Sequence, residues 1–478
     1  MERSASSPTT RLAGASATLH IGTIPAPVRR VARQCVLDWI GVALAARHEP
    51  LVETLLADAQ EDGGAAQATL VGRTVRLSRL QAATINGAAG HALDYDDSCR
   101  AMNGHPTATL LPALLALADG EEVSGARMLE AFVAGYETAC RIGLLVNPAH
   151  YAAGFHATAT LGTLGAAAAC ARLMALDAAT TATALGIAAS CASGLRANVG
   201  TMCKPLHAGL ASRDGLWSAL LARRGFTALP DILEADHGFA HAHGSEFRLD
   251  EALATPPGGF HLPDNLFNYH AACHGTHGAI EATRRLMAKG GFTPQRLRGV
   301  VVTLPRWLAS VCCIDDPRDG LEAKFSVRAT VAMVLAGIDT ARPGAFDAGA
   351  IRSASVQALL TCISVQFSNV PAPSAATDVE LRLDGEPPRT ARHDPALPET
   401  DLDLQQQRLV AKFSALAMPA VGEARAARLR ALVDDLETLP SIQPMLALVG
   451  RAGRTQATDA DGDGQIVGMD DSGPPARP

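Results

Sequence analysis

Four short segments gather ionisable side chains in otherwise apolar or glycine-rich surroundings. The first is His91-Ala-Leu-Asp-Tyr-Asp-Asp-Ser98, followed by Asn103-Gly-His-Pro106. Three carboxylates within four residues repel one another, so at least one should be paired or raised in pKa. His105 lies in a loop before Pro106 and a new helix, placed to face a cleft. A solvated turn that caps the next helix is the alternative reading. The second segment is Tyr151-Ala-Ala-Gly-Phe-His-Ala-Thr158. Taken alone, His156 reads first as a satisfied cap or core histidine, with function as the alternative.

The third segment is Gly200-Thr-Met-Cys-Lys-Pro-Leu-His-Ala-Gly209. Lys204 is its single cation, in an apolar turn leading into a helix. Free N–H groups and positive potential at a helix start favour an anionic ligand. Partial burial is expected to lower the lysine pKa towards that of a general base. The alternative is a surface lysine in a turn. The fourth segment, Asn268-Tyr-His-Ala-Ala-Cys-His-Gly-Thr-His277, sets His270, His274 and His277 at i, i+4 and i+7. A continuous helix would bring them to one face. Gly275 and Gly278 weaken such a helix, and Glu281 is the only acidic group close by, so no metal site is assigned.

These segments need a large scaffold. The chain has 478 residues, 48% of them hydrophobic, enough for a large core and more than one domain. Its net charge of −7 gives no basic patch for nucleic acid and no polybasic stretch for a membrane. No apolar run is long enough to span a bilayer. The ten cysteines form no C-x-x-C pair, and several sit in helical stretches as small core residues. Without an apolar leader, the chain reads as cytoplasmic with reduced thiols. Gly162-Thr-Leu-Gly165 lacks the preceding strand of a dinucleotide site and reads as close helix packing. No G-x-S-x-G nucleophile elbow occurs.

Hydrophobic spacing predicts helices at 27–47, 79–92, 107–118, 125–146, 158–174, 177–193 and 208–224, with Ser124 and Asp177 as caps. Residues 1–22 are rich in Ser, Thr and Ala and are expected to be flexible. The pattern changes near residue 298, where Val300, Val302 and Leu304 alternate as in a strand. A helix fits 322–336, and strands fit 362–368 and 378–384. The expected fold is mainly α with a smaller α/β domain. Residues 23–267 start the helical domain, 268–400 form an inserted α/β lid, and 401–450 return to helix. The tail, 451–478, is expected to be disordered. Its Asp459-Ala-Asp-Gly-Asp-Gly-Gln-Ile466 run imitates the start of a calcium loop but lacks the flanking helices.

Together these segments resemble the MmgE/PrpD family, which includes 2-methylcitrate dehydratase, cis-aconitate decarboxylase and iminodisuccinate epimerase. The resemblance rests on Leu37-Asp-Trp-Ile-Gly-Val-Ala43, Ile85-Asn-Gly-Ala-Ala-Gly-His-Ala-Leu-Asp-Tyr-Asp-Asp97, Gly104-His-Pro106 and Phe155-His156 before Leu161-Gly-Thr163. Lys204-Pro-Leu-His-Ala-Gly209, Tyr269-His-Ala-Ala-Cys-His-Gly-Thr-His277 and Ala323-Lys-Phe-Ser326 continue it, in order, over about residues 24 to 450. The resemblance implies a homodimer without metal or organic cofactor, its active site between helical and lid domains. Motif matching carries the family's site positions onto Asp94, Ser98, His105, His156 and Lys204. Two positions depart from the cis-aconitate decarboxylases: Asn268 replaces a lysine, and no tyrosine stands near Ala309. Tyr151 is a candidate to supply a hydroxyl instead.

The expected chemistry is proton abstraction next to a carboxylate of a small polycarboxylate. The favoured reading is a hydratase/dehydratase acting on a 2-methylcitrate-like hydroxy acid. Lys204 or a histidine serves as base, His105 or His156 protonates the leaving hydroxyl, and Asp94 orients a histidine. Ser98, Tyr151 and Asn268 are expected to bind substrate. An epimerase working on both faces of an iminodisuccinate-like compound and a non-catalytic carboxylate-binding dimer are the alternatives.

Overall fold

The computed structural model describes residues 7–244, 247–372 and 374–450. The calcium-loop-like run and the rest of 451–478 lie outside the described residues.

The helical part is built on small residues that let backbones approach. The Arg79–His91 helix crosses the Cys203–Arg223 helix where Gly87 meets Gly209. A Cβ at Gly87 would lie 2.8 Å from the Gly209 Cα, so only glycine allows this crossing. The Ala157–Leu173 helix packs between the Gly125–Val146 and Cys203–Arg223 helices. Gly162 and Gly165 sit tightly against Thr109 and Ala139 there, in keeping with their reading as packing residues. Ser124 and Asp177 cap their helices by accepting from the Arg127 and Thr180 N–H groups.

Near residue 270 the chain enters a smaller α/β unit. Its four-stranded sheet runs in the order Ile363–Ser368, Leu297–Pro305, Thr377–Leu383, Arg389–His393. The first pair is parallel and the other two are antiparallel. Val300, Val302 and Leu304 face inward with Val379, Leu381 and Leu383. The His274–Ala288 and Val327–Leu335 helices cover that face. The chain then returns through the Leu402–Val421 helix, which packs along the Ala26–Ala45 helix.

A buried ion pair ties these parts together. Lys412 on the return helix lies 2.6 Å from Asp38 on the Ala26–Ala45 helix. Its ammonium also donates to the carbonyls of Tyr95 (2.6 Å) and Asn268 (2.8 Å). Burial lowers the Lys412 pKa and raises that of Asp38 to about 6.

Several elements differ from the sequence reading. Residues 8–18 of the stretch read as flexible form a helix, capped by Ser7 and anchored where Thr9 donates to Glu234 at 2.5 Å. Its Leu12 and Ala13 are buried, a weak apolar signal that tertiary packing completes. The helix expected at 208–224 begins at Cys203, because Pro205 falls in the first turn, where a missing N–H costs nothing. The 322–336 helix is two pieces, Gly320–Lys324 and Val327–Leu335, since Ser326 caps the second. The helix from His274 runs through Gly275 and Gly278, and His270 lies outside it. Both glycines are needed for contact: added Cβ atoms would lie 2.9 Å from Cys312 Sγ and 2.6 Å from Thr377 Oγ1.

Lys412→Met should strand the Asp38 charge in the core. The expected cost is about 3–5 kcal/mol, read as a lowered denaturation midpoint, with partial recovery in Asp38→Asn/Lys412→Met. A wild-type midpoint for the single variant would mean that the pair contributes nothing.

Candidate active site

Two helix ends and two loops converge on one polar cluster. The Arg79–His91 helix ends in the loop that carries Asp94, Asp96 and Asp97. Asp94 takes a positive φ of 52°, a conformation that aspartate tolerates better than most residues. The loop is held at many points. Tyr95 donates its hydroxyl to the Ala341 carbonyl in the α/β unit at 2.9 Å. The Asp97 carboxylate accepts from the Thr107 hydroxyl at 2.8 Å. Ser98 exchanges two backbone hydrogen bonds with Leu266, each 2.8 Å.

The Gly104-His-Pro106 turn is brought against the Ala157–Leu173 helix. A Cβ at Gly104 would lie 2.8 Å from the Thr158 nitrogen, and the His105 N–H donates to the Thr158 hydroxyl at 3.2 Å. This close approach sets His105 near His156. Lys204 and His207 enter from the first turn of the Cys203–Arg223 helix. They are three residues apart and share a face.

The contacts form a charge-alternating chain. Lys204 pairs directly with Asp94. Asp94 Oδ1 lies 4.0 Å from His105 Nε2, and His105 Nδ1 lies 3.2 Å from Asp96 Oδ2. Asp96 accepts from His91 Nδ1 at 2.9 Å. The His91 ring lies 4.6 Å from that of His105 and stacks at 5.9 Å on that of His156. His156 Nδ1 meets His207 Nδ1 at 3.2 Å. Lys204 and His105 side chains keep 16% and 18% exposure and Asp94 35%, whereas Asp96 and His91 have none. The exposed edge of the cluster is therefore Lys204, Asp94 and His105.

Electrostatics sorts these groups into two sets. Burial alone would lower Lys204, but Asp94 outweighs it and the ammonium pKa is raised. The expected lowering of the Lys204 pKa by burial is thereby reversed: its counter-ion favours the cation. Burial likewise opposes His105, and Asp96 outweighs it, so the imidazole pKa is raised. Asp94 is held well below the usual carboxylate range by Lys204, His105 and His91, against burial. The other imidazoles go the opposite way. Burial lowers His91 and His207, and pushes His156 down to about 2. The site thus sets two groups whose protonated forms are favoured, Lys204 and His105, beside imidazoles whose neutral forms are favoured.

Of the sequence candidates, Asp94, His105, Lys204 and His156 meet. Asp94 does not orient a histidine as expected; it is engaged by Lys204, and Asp96 holds the imidazoles. Asn268 is buried and its amide is used internally. It donates to the Asp96 carbonyl at 2.8 Å and accepts from His274 Nδ1 at 2.8 Å. It props the loop instead of facing the exposed edge. Tyr151 lies under the Arg196 guanidinium at 3.6 Å, and no contact among the described residues joins it to Lys204 or His105. Ser98 is partly buried beside the chain crossing at Leu266. Sequence reasoning missed His91, Asp96 and His207. The Lys204-to-His207 spacing was an available signal, whereas nothing local distinguished Asp96 from its two neighbours. One metal-competent group occurs among the described residues, His91, Asp96 and His105. The His270 imidazole is instead taken up by Glu281 at 2.9 Å and by the Thr340 hydroxyl at 2.8 Å.

Comparison with known proteins follows this division of the chain. Residues 10–252 match the MmgE/PrpD N-terminal domain, and residues 270–438 match the MmgE/PrpD C-terminal domain. The chain is 26% identical over 456 residues to the cis-aconitate decarboxylase-like protein oryM of Aspergillus oryzae, covering 89% of this chain and 94% of that protein. It is 34% identical over 170 residues to cis-aconitate decarboxylase of Homo sapiens, covering 34% of this chain and 35% of the human protein. The Mus musculus cis-aconitate decarboxylase is 26% identical over 312 residues, 62% of this chain and 63% of the mouse protein.

Histidine-selective NMR titration should find His105 titrating above the ordinary imidazole value and His156 neutral over the folded range. Because the His105 pKa is raised on folding, its pairing with Asp96 stabilises fully below the unfolded value of about 6.5. That contribution is lost as pH rises through the folded value. Asp96→Asn should bring His105 down; an unchanged His105 titration would rule out Asp96 as the cause.

Proposed function

Because the chain belongs to the MmgE/PrpD family, we propose that it is a lyase that moves a proton at a carbon beside a carboxylate of a small tricarboxylate. The observation that carries this reading is the Lys204–Asp94 pair with His105 at its edge, two donors at the partly exposed side of the cluster. Lys204 holds a substrate carboxylate as a fixed cation, exchanging Asp94 for the ligand. His105, braced on Asp96, offers its Nε2 proton to the reacting carbon. The donors sit beside largely buried walls, where their field is stronger than in water.

Decarboxylation of a cis-aconitate-like acid is the favoured reaction. The bond to the leaving carboxylate breaks and its electron pair stays on carbon. His105 then protonates that carbon, carbon dioxide leaves, and solvent restores the imidazolium. A site rich in donors and poor in strong bases suits this sequence, and the named relatives are cis-aconitate decarboxylases or a decarboxylase-like protein. Dehydration of a hydroxy tricarboxylate is the second reading. It is favoured by Asn268, which puts an internally used amide where a further cation is expected, and by the neutral His156, which can accept a proton.

The test is proton NMR in deuterated water with citrate, 2-methylcitrate, cis-aconitate and iminodisuccinate. Cis-aconitate is expected to lose carbon dioxide and gain one deuteron. Alkene formation from a hydroxy acid with no decarboxylation would establish the second reading instead. Lys204→Ala and His105→Asn should each reduce turnover by at least about a hundredfold, with little change in the thermal midpoint of Lys204→Ala. Wild-type rates in both variants would remove this pair from the chemistry.

A further inference from the structure

His91, Asp96 and His105 have a capacity beyond holding an imidazole in place. One ligand atom from each lies within 4.8 Å of the others. An Asp96 oxygen lies 2.9 Å from His91 Nδ1, and another contact puts Asp96 3.2 Å from His105 Nδ1. The second contact is not an aligned hydrogen bond: His105 Nδ1 is buried and lacks a hydrogen-bond partner despite that short distance. Two ring nitrogens and a carboxylate thus converge at a spacing near the edges of a tetrahedral sphere. With bonds of about 2.0–2.2 Å, those edges measure roughly 3.3 Å.

The donor set selects the ion. Calcium and magnesium favour oxygen ligands, whereas imidazole with one carboxylate suits zinc and its neighbours. Asp94 and Asp96 balance Lys204 and a protonated His105, so release of the His105 proton is what leaves a negative charge for the dication. Asp96 is further supported by Asn268, which binds its carbonyl.

We propose that His91, Asp96 and His105 bind a zinc-class divalent cation, and that the metal-bound protein is the inactive form. The ion displaces protons from the two Nδ1 atoms to solvent and locks His105 away from acid–base work. The inactivation rests on the reading of His105 as proton donor; the binding does not.

Cobalt(II) titration of the full-length protein tests the site directly. Visible bands of a nitrogen- and oxygen-ligated ion should saturate at a single cobalt per chain. His91→Asn and His105→Asn should each weaken binding at least tenfold, whereas Lys204→Ala, which removes a nearby cation, should bind at least as tightly. Absence of the bands, a thiolate-to-cobalt band that signals a cysteine site, or undiminished binding in His105→Asn would overturn the site. Zinc should then suppress cis-aconitate turnover in step with occupancy, and EDTA should restore it. Full activity of the loaded protein would overturn the inactivation. If no acid in the panel is turned over, the function reading fails while the cobalt titration still decides the site.

Discussion

The ammonium of Lys412 is the point on which the architecture depends. It is buried, yet it pairs with Asp38 and donates to the Tyr95 and Asn268 carbonyls. These partners belong to the first long helix, to the acidic loop and to the entry of the α/β unit. A buried charge tolerates few alternative arrangements, because each lost partner leaves an uncompensated group in a medium of low dielectric. The return helix is therefore locked in register against everything that positions the site. The Lys412 ammonium also lies 3.9 Å from the centre of the Tyr95 ring, which adds a second attraction to the same loop residue.

From that anchor the polar cluster follows as a sequence of paired charges. Three aspartates within four positions meet three different environments. Asp94 finds an ammonium, Asp96 finds two imidazoles, and Asp97 finds burial, the nearby Asp38 charge and a threonine hydroxyl. Their pKa values diverge for that reason: Asp94 and Asp96 are held low, while Asp97 is pushed up to about 8. Separation of pKa values among adjacent groups is how a site assigns acid, base and counter-ion roles. Here it leaves Lys204 and His105 proton-bearing at the exposed edge and His156 neutral behind them. The chemistry proposed for the protein uses this division of labour.

Much of this was legible in the chain itself. The strong amphipathic period over 125–146 gives a helix there, and the caps Ser124 and Asp177 are local chemistry that needs no tertiary partner. The alternation at Val300, Val302 and Leu304 marks the central strand for the same reason. Short elements were less visible. The Arg389–His393 edge strand carries charged residues, and the Pro50–Asp62 helix has few buried positions, so neither stands out by hydrophobic spacing.

By itself the sequence determined the fold class, the family resemblance and four residues that meet in space: Asp94, His105, His156 and Lys204. Their types and local spacing announce ionisable groups in apolar surroundings, which is a property of neighbours in the chain. Only the tertiary structure decided their protonation. Lys204 is a cation because Asp94, over a hundred residues away, outweighs burial, and the His105 pKa is raised because Asp96 faces it. It also turned Asn268 from a substrate contact into a prop for the acidic loop. Burial and charge fall off over a few ångströms of space, not of chain, so these states follow from which distant segments the fold brings into contact.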